Sequence, residues 1–193
     1  AKKPIANEDE YQRKISISQG YFNPEMKVLE FGCGTGSTAL IHAPKVAQYT
    51  AIDLAPNMIR IGKEKLANTA TKNLQFEVAT LADYQQQTGV YDAVLGLNIL
   101  HLLEDPAEAV KQAYNILKPG GVFITSTACL GDKMNYFRYL APIGRLLRVI
   151  PLVQVFKRAQ LESDFANAGF DIEYRWVPEN SPLVYFLVAR KPG

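Results

Sequence analysis

The chain has 193 residues, 48% hydrophobic and 21% charged, which is ordinary for a soluble domain and enough for one sizeable core. Lys and Arg total 21 against 19 Asp and Glu, a net charge of +2, too balanced to suggest a partner such as nucleic acid. Two cysteines, two histidines, no apolar run of about 18 residues and no signal-peptide core after Ala1-Lys2-Lys3-Pro4 argue against a disulfide scaffold, a metal centre and a membrane span. The expectation is one cytoplasmic domain over residues 1–193.

Residues 8–22 read as a helix with Tyr11, Ile15 and Ser18 or Gln19 on one face, stopped by Asn23-Pro24. Lys27–Phe31 is a short buried strand running into Gly32-Cys33-Gly34-Thr35-Gly36, and the helix that follows ends at Pro44. Val46–Ile52 is predicted as the second strand, closing on Asp53, and Pro56 opens a helix that reaches about Asn68. Leu74–Ala79 is the third strand. Tyr91–Leu97 is the fourth, apolar on both faces as a central parallel strand should be.

Asp105 caps the next helix, with Pro106 at its first position and Glu108 spaced for a capping box; that helix ends near Leu117. After the Lys118-Pro119-Gly120-Gly121 turn, Val122–Thr127 is strand five. A hydrophobic and aromatic stretch from about Gly131 to Phe156 then breaks the alternation. Ala159–Ala168 is a helix closed by Gly169, and Phe170–Val177 is strand six. Pro182–Arg190, reached through a short turn, should pair antiparallel. The fold class is α/β: a doubly wound, Rossmann-like sheet of seven strands, mostly parallel with an antiparallel last strand.

A strand ending in three close glycines before a helix is a nucleotide-handling arrangement. The missing Cβ atoms let backbone approach a ligand, and the helix N-terminus offers free N–H groups. An acid at the end of the next strand, here Asp53, can accept both hydroxyls of a ribose. The dinucleotide fingerprint needs glycine where Ser37 stands, and no Gly-Lys-Ser/Thr follows, so a nicotinamide site and a Walker loop are both disfavoured.

Val28-Leu29-Glu30-Phe31-Gly32-Cys33-Gly34-Thr35-Gly36 resembles the first motif of the class I S-adenosylmethionine-dependent methyltransferases, in particular their type 11 small-molecule branch. Tyr91-Asp92-Ala93-Val94 with Leu97-Asn98-Ile99-Leu100-His101 is similar to that family's fourth-strand motif, and Leu117-Lys118-Pro119-Gly120-Gly121 to its turn before strand five. The resemblance covers roughly residues 27–128 and the terminal strand pair. It implies S-adenosyl-L-methionine as cofactor. Phe31, Gly32, Cys33, Gly34 and Gly36 would form its cradle, with Glu30 holding the ammonium. Asp53 would take the ribose diol, with Leu54 and Met58 near the adenine, Thr80 and Leu81 at its edge, and Asn98 and Ile99 under the methionine portion. Many members place an Asp where Thr80 stands; Thr80 can bond through its hydroxyl, or Asp83 can substitute. Asp53→Ala is expected to weaken cofactor binding far more than it destabilises the fold.

Methyl transfer from a sulfonium is an in-line displacement that needs chiefly alignment, and a hydroxyl acceptor also benefits from a base. His101, just beyond strand four, is the candidate catalytic base; its alternative is a packing histidine. The chain has Leu97-Asn98-Ile99-Leu100 in place of the Asp/Asn-Pro-Pro-Tyr/Phe of enzymes that methylate nucleic-acid bases or glutamine. The implied partner is therefore a small apolar or aromatic acceptor. Segment 131–156 reads as a lid or substrate cap, or, through 134–156, as a surface that meets lipid; a helix packed over the sheet is the structural alternative. The alternative function is a non-catalytic S-adenosylmethionine-binding module or partner subunit of the same fold, and the oligomeric state is open. The chain begins without Met, and further N-terminal residues are expected to complete a lid.

Overall fold

The computed structural model describes residues 8–132 and 157–193. The lid, lipid-contact and N-terminal readings fall mainly on residues outside that set. Seven strands form one sheet in the order β3-β2-β1-β4-β5-β7-β6. They are β1 (Lys27–Phe31), β2 (Gln48–Asp53), β3 (Leu74–Val78), β4 (Tyr91–Leu97), β5 (Leu117–Ala128), β6 (Asp171–Trp176) and β7 (Val184–Arg190). The first five run parallel, and β7 is antiparallel to both β5 and β6, so the predicted sheet and its antiparallel last strand are both observed. The order reverses at β1 and β4, and the carboxyl ends of those strands open the crevice where ligands of such sheets bind.

Five helices accompany the sheet among the described residues: α1 (Glu8–Gln19), α2 (Ser37–His42), α3 (Pro56–Ala67), α4 (Pro106–Ile116) and α5 (Arg158–Ala168). Strand side chains alternate between two cores. Val28 joins Ala39 of α2 and Ile59 of α3 on one face. Leu29 and Phe31 join Val110 of α4 and Phe165 of α5 on the other. Ile15 and Ser18 turn the buried side of α1 toward the first of these faces.

Several boundaries differ from the sequence reading, β6 (Asp171–Trp176) and β7 (Val184–Arg190) each being shorter than expected, and three of the differences have a local cause. α1 stops at Gln19, because Gly20 to Phe22 form a tighter turn in which the Tyr21 and Phe22 N–H groups bond only three residues back, to Ser18 and Gln19, both at 3.1 Å. β5 begins at Leu117 rather than Val122: Leu117 already pairs with Tyr91, and a register shift absorbs the Pro-Gly-Gly turn inside the strand. β2 begins at Gln48, after a short 3-10 turn over Ala43–Lys45 has used Pro44. Asp105 caps α4 as expected, accepting the Glu108 N–H at 2.9 Å. The return bond of the capping box does not form; the Glu108 carboxylate accepts from Gln112 one turn on.

Candidate cofactor site

The loop between β1 and α2 turns on left-handed glycines. Gly32 has φ 65°, and a Cβ there would lie 2.6 Å from the Ile99 side chain, so the loop presses directly on the residue that follows β4. Gly34 has φ 54°, and a Cβ there would meet nothing within 4 Å. That open notch, bounded by backbone N–H groups, is where a ligand can approach the main chain. Lys65, in the last turn of α3, reaches over the loop. Its ammonium donates to the Thr35 carbonyl at 2.9 Å and to the Thr35 and Ser37 hydroxyls at 2.7 and 3.0 Å.

Asp53 ends β2 beside the notch. Its Oδ2 accepts the Gly34 N–H at 2.8 Å and its Oδ1 accepts the Ala55 N–H at 2.9 Å. Each oxygen keeps a lone pair for a further donor. The carboxylate therefore does two things at once: it ties the glycine loop to the entry of α3 and it faces the crevice. Beyond it stand three exposed apolar side chains, Leu54 at 68%, Met58 at 39% and Val78 at 53%. Apolar groups left in water around one rim suit the face of a planar ligand.

Glu30 lies below the loop, 2% exposed, and accepts the Tyr49 hydroxyl at 2.9 Å. Burial raises its carboxyl to about 7, and the Tyr49 hydrogen bond opposes that rise. The same surroundings act on Cys33. Desolvation, then the Glu30 and Asp53 carboxylates, push its thiol well above the ordinary range, so its place beside the α2 N-terminus does not activate it. Phe31 and Leu81 are core side chains at 4% and 7% exposure, which leaves only their main chain for a ligand to meet. Thr80 and Asp83 are tied to each other, since the Thr80 N–H and hydroxyl each donate to Asp83 Oδ2 at 2.8 Å.

At the β4 end, Asn98 takes the left-handed conformation at φ 57° and its N–H donates to the Ser126 carbonyl at 2.6 Å. A non-glycine residue held there is characteristic of functional sites, and Asn tolerates it better than most. His101 follows in a 3-10 turn, Leu100–Leu102, with Nδ1 3.1 Å from the Thr127 hydroxyl. Burial lowers its pKa. Lys14 of α1 donates to the Ser126 hydroxyl at 3.0 Å. Consecutive residues of β5 point to opposite sheet faces. Through Ser126 and Thr127, Lys14 and His101 thus approach the end of β5 from opposite sides.

Residues 6–174 match the family model described as a methyltransferase domain. The chain belongs to this family. The methyltransferase domain is of the class I, S-adenosylmethionine-dependent type. It is 37% identical over 163 residues to a ubiquinone biosynthesis O-methyltransferase of Albidiferax ferrireducens, covering 81% of this chain and 64% of that protein. It is 28% identical over 187 residues to one from Acinetobacter baumannii, covering 86% and 78%. The chain thus spans a little under two thirds of the Albidiferax relative. Among solved structures, a Haemonchus contortus phosphoethanolamine N-methyltransferase bound to phosphomonomethylethanolamine and S-adenosylhomocysteine superposes with TM-score 0.77 at 17% identity, covering 95% of this chain and 53% of that one. That likeness is one of fold. Of the residues expected to serve the cofactor, the methyltransferase domain gathers Gly32, Gly34, Asp53, Asn98 and Ile99 at the crevice, whereas Gly36 is buried against Phe76, which a Cβ there would meet at 2.2 Å. Lys14, Lys65, His42 and Tyr49 were not singled out from the sequence, because only their long-range partners give them away.

Proposed function

We propose that this chain transfers a methyl group from S-adenosylmethionine to a hydroxyl of a small apolar or aromatic molecule. The supporting observation is the open notch at Gly34 with the Asp53 carboxylate fastened beside it. These residues fit the cofactor: a bare main-chain turn for the methionine portion, a carboxylate with spare lone pairs for the ribose diol, and an apolar rim of Leu54 and Met58 for the adenine. Glu30 would hold the ammonium. The backbone at Leu81 and the Thr80 hydroxyl or Asp83 would border the adenine edge, and Asn98 and Ile99 would close the methionine side. Methylation of oxygen is the reading favoured by the O-methyltransferase relatives.

When bound, the cofactor supplies an electrophilic methyl carbon on a positively charged sulfur. What the protein contributes is alignment of the acceptor and exclusion of water. Burial disfavours the charged form of His101 and lowers its pKa from the usual 6.5. The Thr127 hydroxyl lies 3.1 Å and the Ala128 N–H 3.5 Å from its Nδ1; with Nδ1 accepting from both, the ring proton is on Nε2. In that state His101 presents a donor rather than a base, and its role in this reading is to orient the acceptor oxygen.

Incubation with methyl-labelled S-adenosylmethionine and a panel of phenols and aliphatic alcohols tests the proposal. Label should appear as a methyl ether on at least one of them. Tight cofactor binding with no transfer to any of them would leave a cofactor-binding module.

A further inference from the structure

A cleft of about 240 Å³ runs beneath α1, between the start of α2 and the ends of β4 and β5; Lys14, His42, Tyr11, Thr38, Asn98 and Ser126 line it. It is smaller than the pockets of about 300–1,000 Å³ that enclose whole ligands, so it suits a head group. We propose that this cleft is the methyl acceptor's subsite for an acidic oxygen, a carboxylate or phenolate, with Lys14 as its counter-ion. The word acceptor rests on the methyltransferase reading above.

Three observations carry it. Lys14 is half-buried, and its hydrogen bond goes to a hydroxyl, Ser126, which in turn donates to Asn98 Oδ1 at 3.2 Å. The ammonium keeps donors in hand toward the cleft. Burial works against its charge and Glu10, whose carboxylate lines the same cleft, supports it; an entering anion would add to that support by taking the spare Lys14 donors on the side away from Glu10. Second, His42 is completely buried, yet neither ring nitrogen has a hydrogen-bond partner among the described residues. Its ring is held by Phe22 edge-on at 5.2 Å and by Tyr49 stacked at 6.3 Å, which prevents it from turning away to find one. A buried imidazole with an unspent donor and an unspent acceptor is a standing polar cost in the cleft wall, although both nitrogens are closed to a water-sized molecule where they stand. Third, position separates this cleft from the ribose site. Asp53 ends β2, whereas Lys14 anchors on β5, on the far side of β1 and β4.

Calorimetric titration with benzoate, and with benzamide as its neutral counterpart, tests this in the wild type, Lys14→Met, Lys14→Arg and Ser126→Ala, each with and without S-adenosylhomocysteine. Benzoate should bind the wild type at least tenfold more tightly than benzamide. That preference should vanish in Lys14→Met, persist in Lys14→Arg and shrink several-fold in Ser126→Ala, with S-adenosylhomocysteine affinity unchanged throughout. Thermal melts check folding, and if Lys14→Met does not fold, the Arg and Ala variants decide. Equal binding of the two probes to the wild type overturns the proposal. So does a tenfold loss of S-adenosylhomocysteine affinity in Lys14→Met with benzoate untouched, which would assign the ammonium to the cofactor. Failure of the wild type to bind S-adenosylhomocysteine would sink the methyltransferase reading instead, and benzoate selectivity would still report on the cleft.

Discussion

Asp53 holds Gly34: the carboxylate Oδ2 of the β2 end accepts the N–H at the centre of the glycine loop at 2.8 Å, while Oδ1 holds Ala55 at the entry of α3. The acid expected to serve a ligand is therefore also a brace. It keeps the loop open in the conformation that a ligand would meet, which lowers the ordering cost of binding.

Asp53→Ala should lose both functions. Removing charge-assisted bonds to the ribose diol costs roughly 2–4 kcal/mol of binding, or about 30- to 1,000-fold in affinity. The two backbone N–H groups left behind are partly solvated, so the cofactor-free protein should lose about 1–2 kcal/mol, roughly 2–8 °C in melting temperature. This is a larger structural effect than the sequence alone suggested. Titration with S-adenosylhomocysteine and melts of the cofactor-free variant measure the two parts separately.

Lys65→Met removes the clamp on Thr35 and Ser37 without touching the crevice rim. Affinity for S-adenosylhomocysteine should fall about five- to thirtyfold, equivalent to roughly 1–2 kcal/mol for bonds of this kind. Amide hydrogen exchange of residues 33–37 should accelerate at the same time. Unchanged exchange with weakened binding would mean that Lys65 acts on the ligand directly.

Glu30 makes the fold sensitive to pH. Its carboxyl is raised from 4.5 to about 7, so between those values the folded protein holds a proton that the unfolded chain has lost. Stability contributed by this group is full below about 4.5 and declines as pH rises to about 7, by a total of order 3 kcal/mol. His42 has the opposite sign. Burial lowers it from 6.5 to about 4, so its contribution grows as pH rises across that window and partly offsets Glu30 there. Glu30→Gln keeps an acceptor for Tyr49 and should be more stable than wild type at pH 8, with the gain absent near pH 4. If Glu30 also holds the cofactor's ammonium, wild-type affinity should rise through pH 7 while the variant's stays weak and flat. Urea unfolding and titration across pH 5–8 check both.

His101 separates donor from base. With the proton on Nε2, His101→Gln places an N–H donor in a similar position and should retain most of the methyl transfer, while His101→Ala loses about tenfold. A general base would be missed equally in both variants, by about 100-fold or more. Steady-state rates at pH 7 and 9 with an accepted phenol distinguish the two.

Legibility in the sequence followed the range of the interactions concerned. β1 and β4 are located to the residue because each is a short, mostly apolar run closed by glycine or Asn, signals contained within the segment. The Pro-Gly-Gly turn before Val122 read as a loop because nothing local shows that Leu117 pairs with Tyr91 or that the Gly120 N–H bonds Lys191 at 2.9 Å. Gly32, Gly34 and Asp53 were legible as a site because loop chemistry and strand-end position are local. Lys14 was not: its pattern says only that it sits near the buried face of α1, and its partner Ser126 lies 112 residues away. His42 read as a helix-end residue, and only the packing of Phe22 and Tyr49 around it shows that its nitrogens are stranded.

The most direct test of the central claim is a pair of calorimetric titrations, S-adenosylhomocysteine and NAD into the wild type, repeated on Asp53→Asn. S-adenosylhomocysteine should bind with a stoichiometry of one, NAD should give no saturable heat, and Asp53→Asn should weaken S-adenosylhomocysteine at least about tenfold. Saturable NAD binding without S-adenosylhomocysteine binding would contradict it, as would an Asp53→Asn variant that binds S-adenosylhomocysteine as tightly as the wild type.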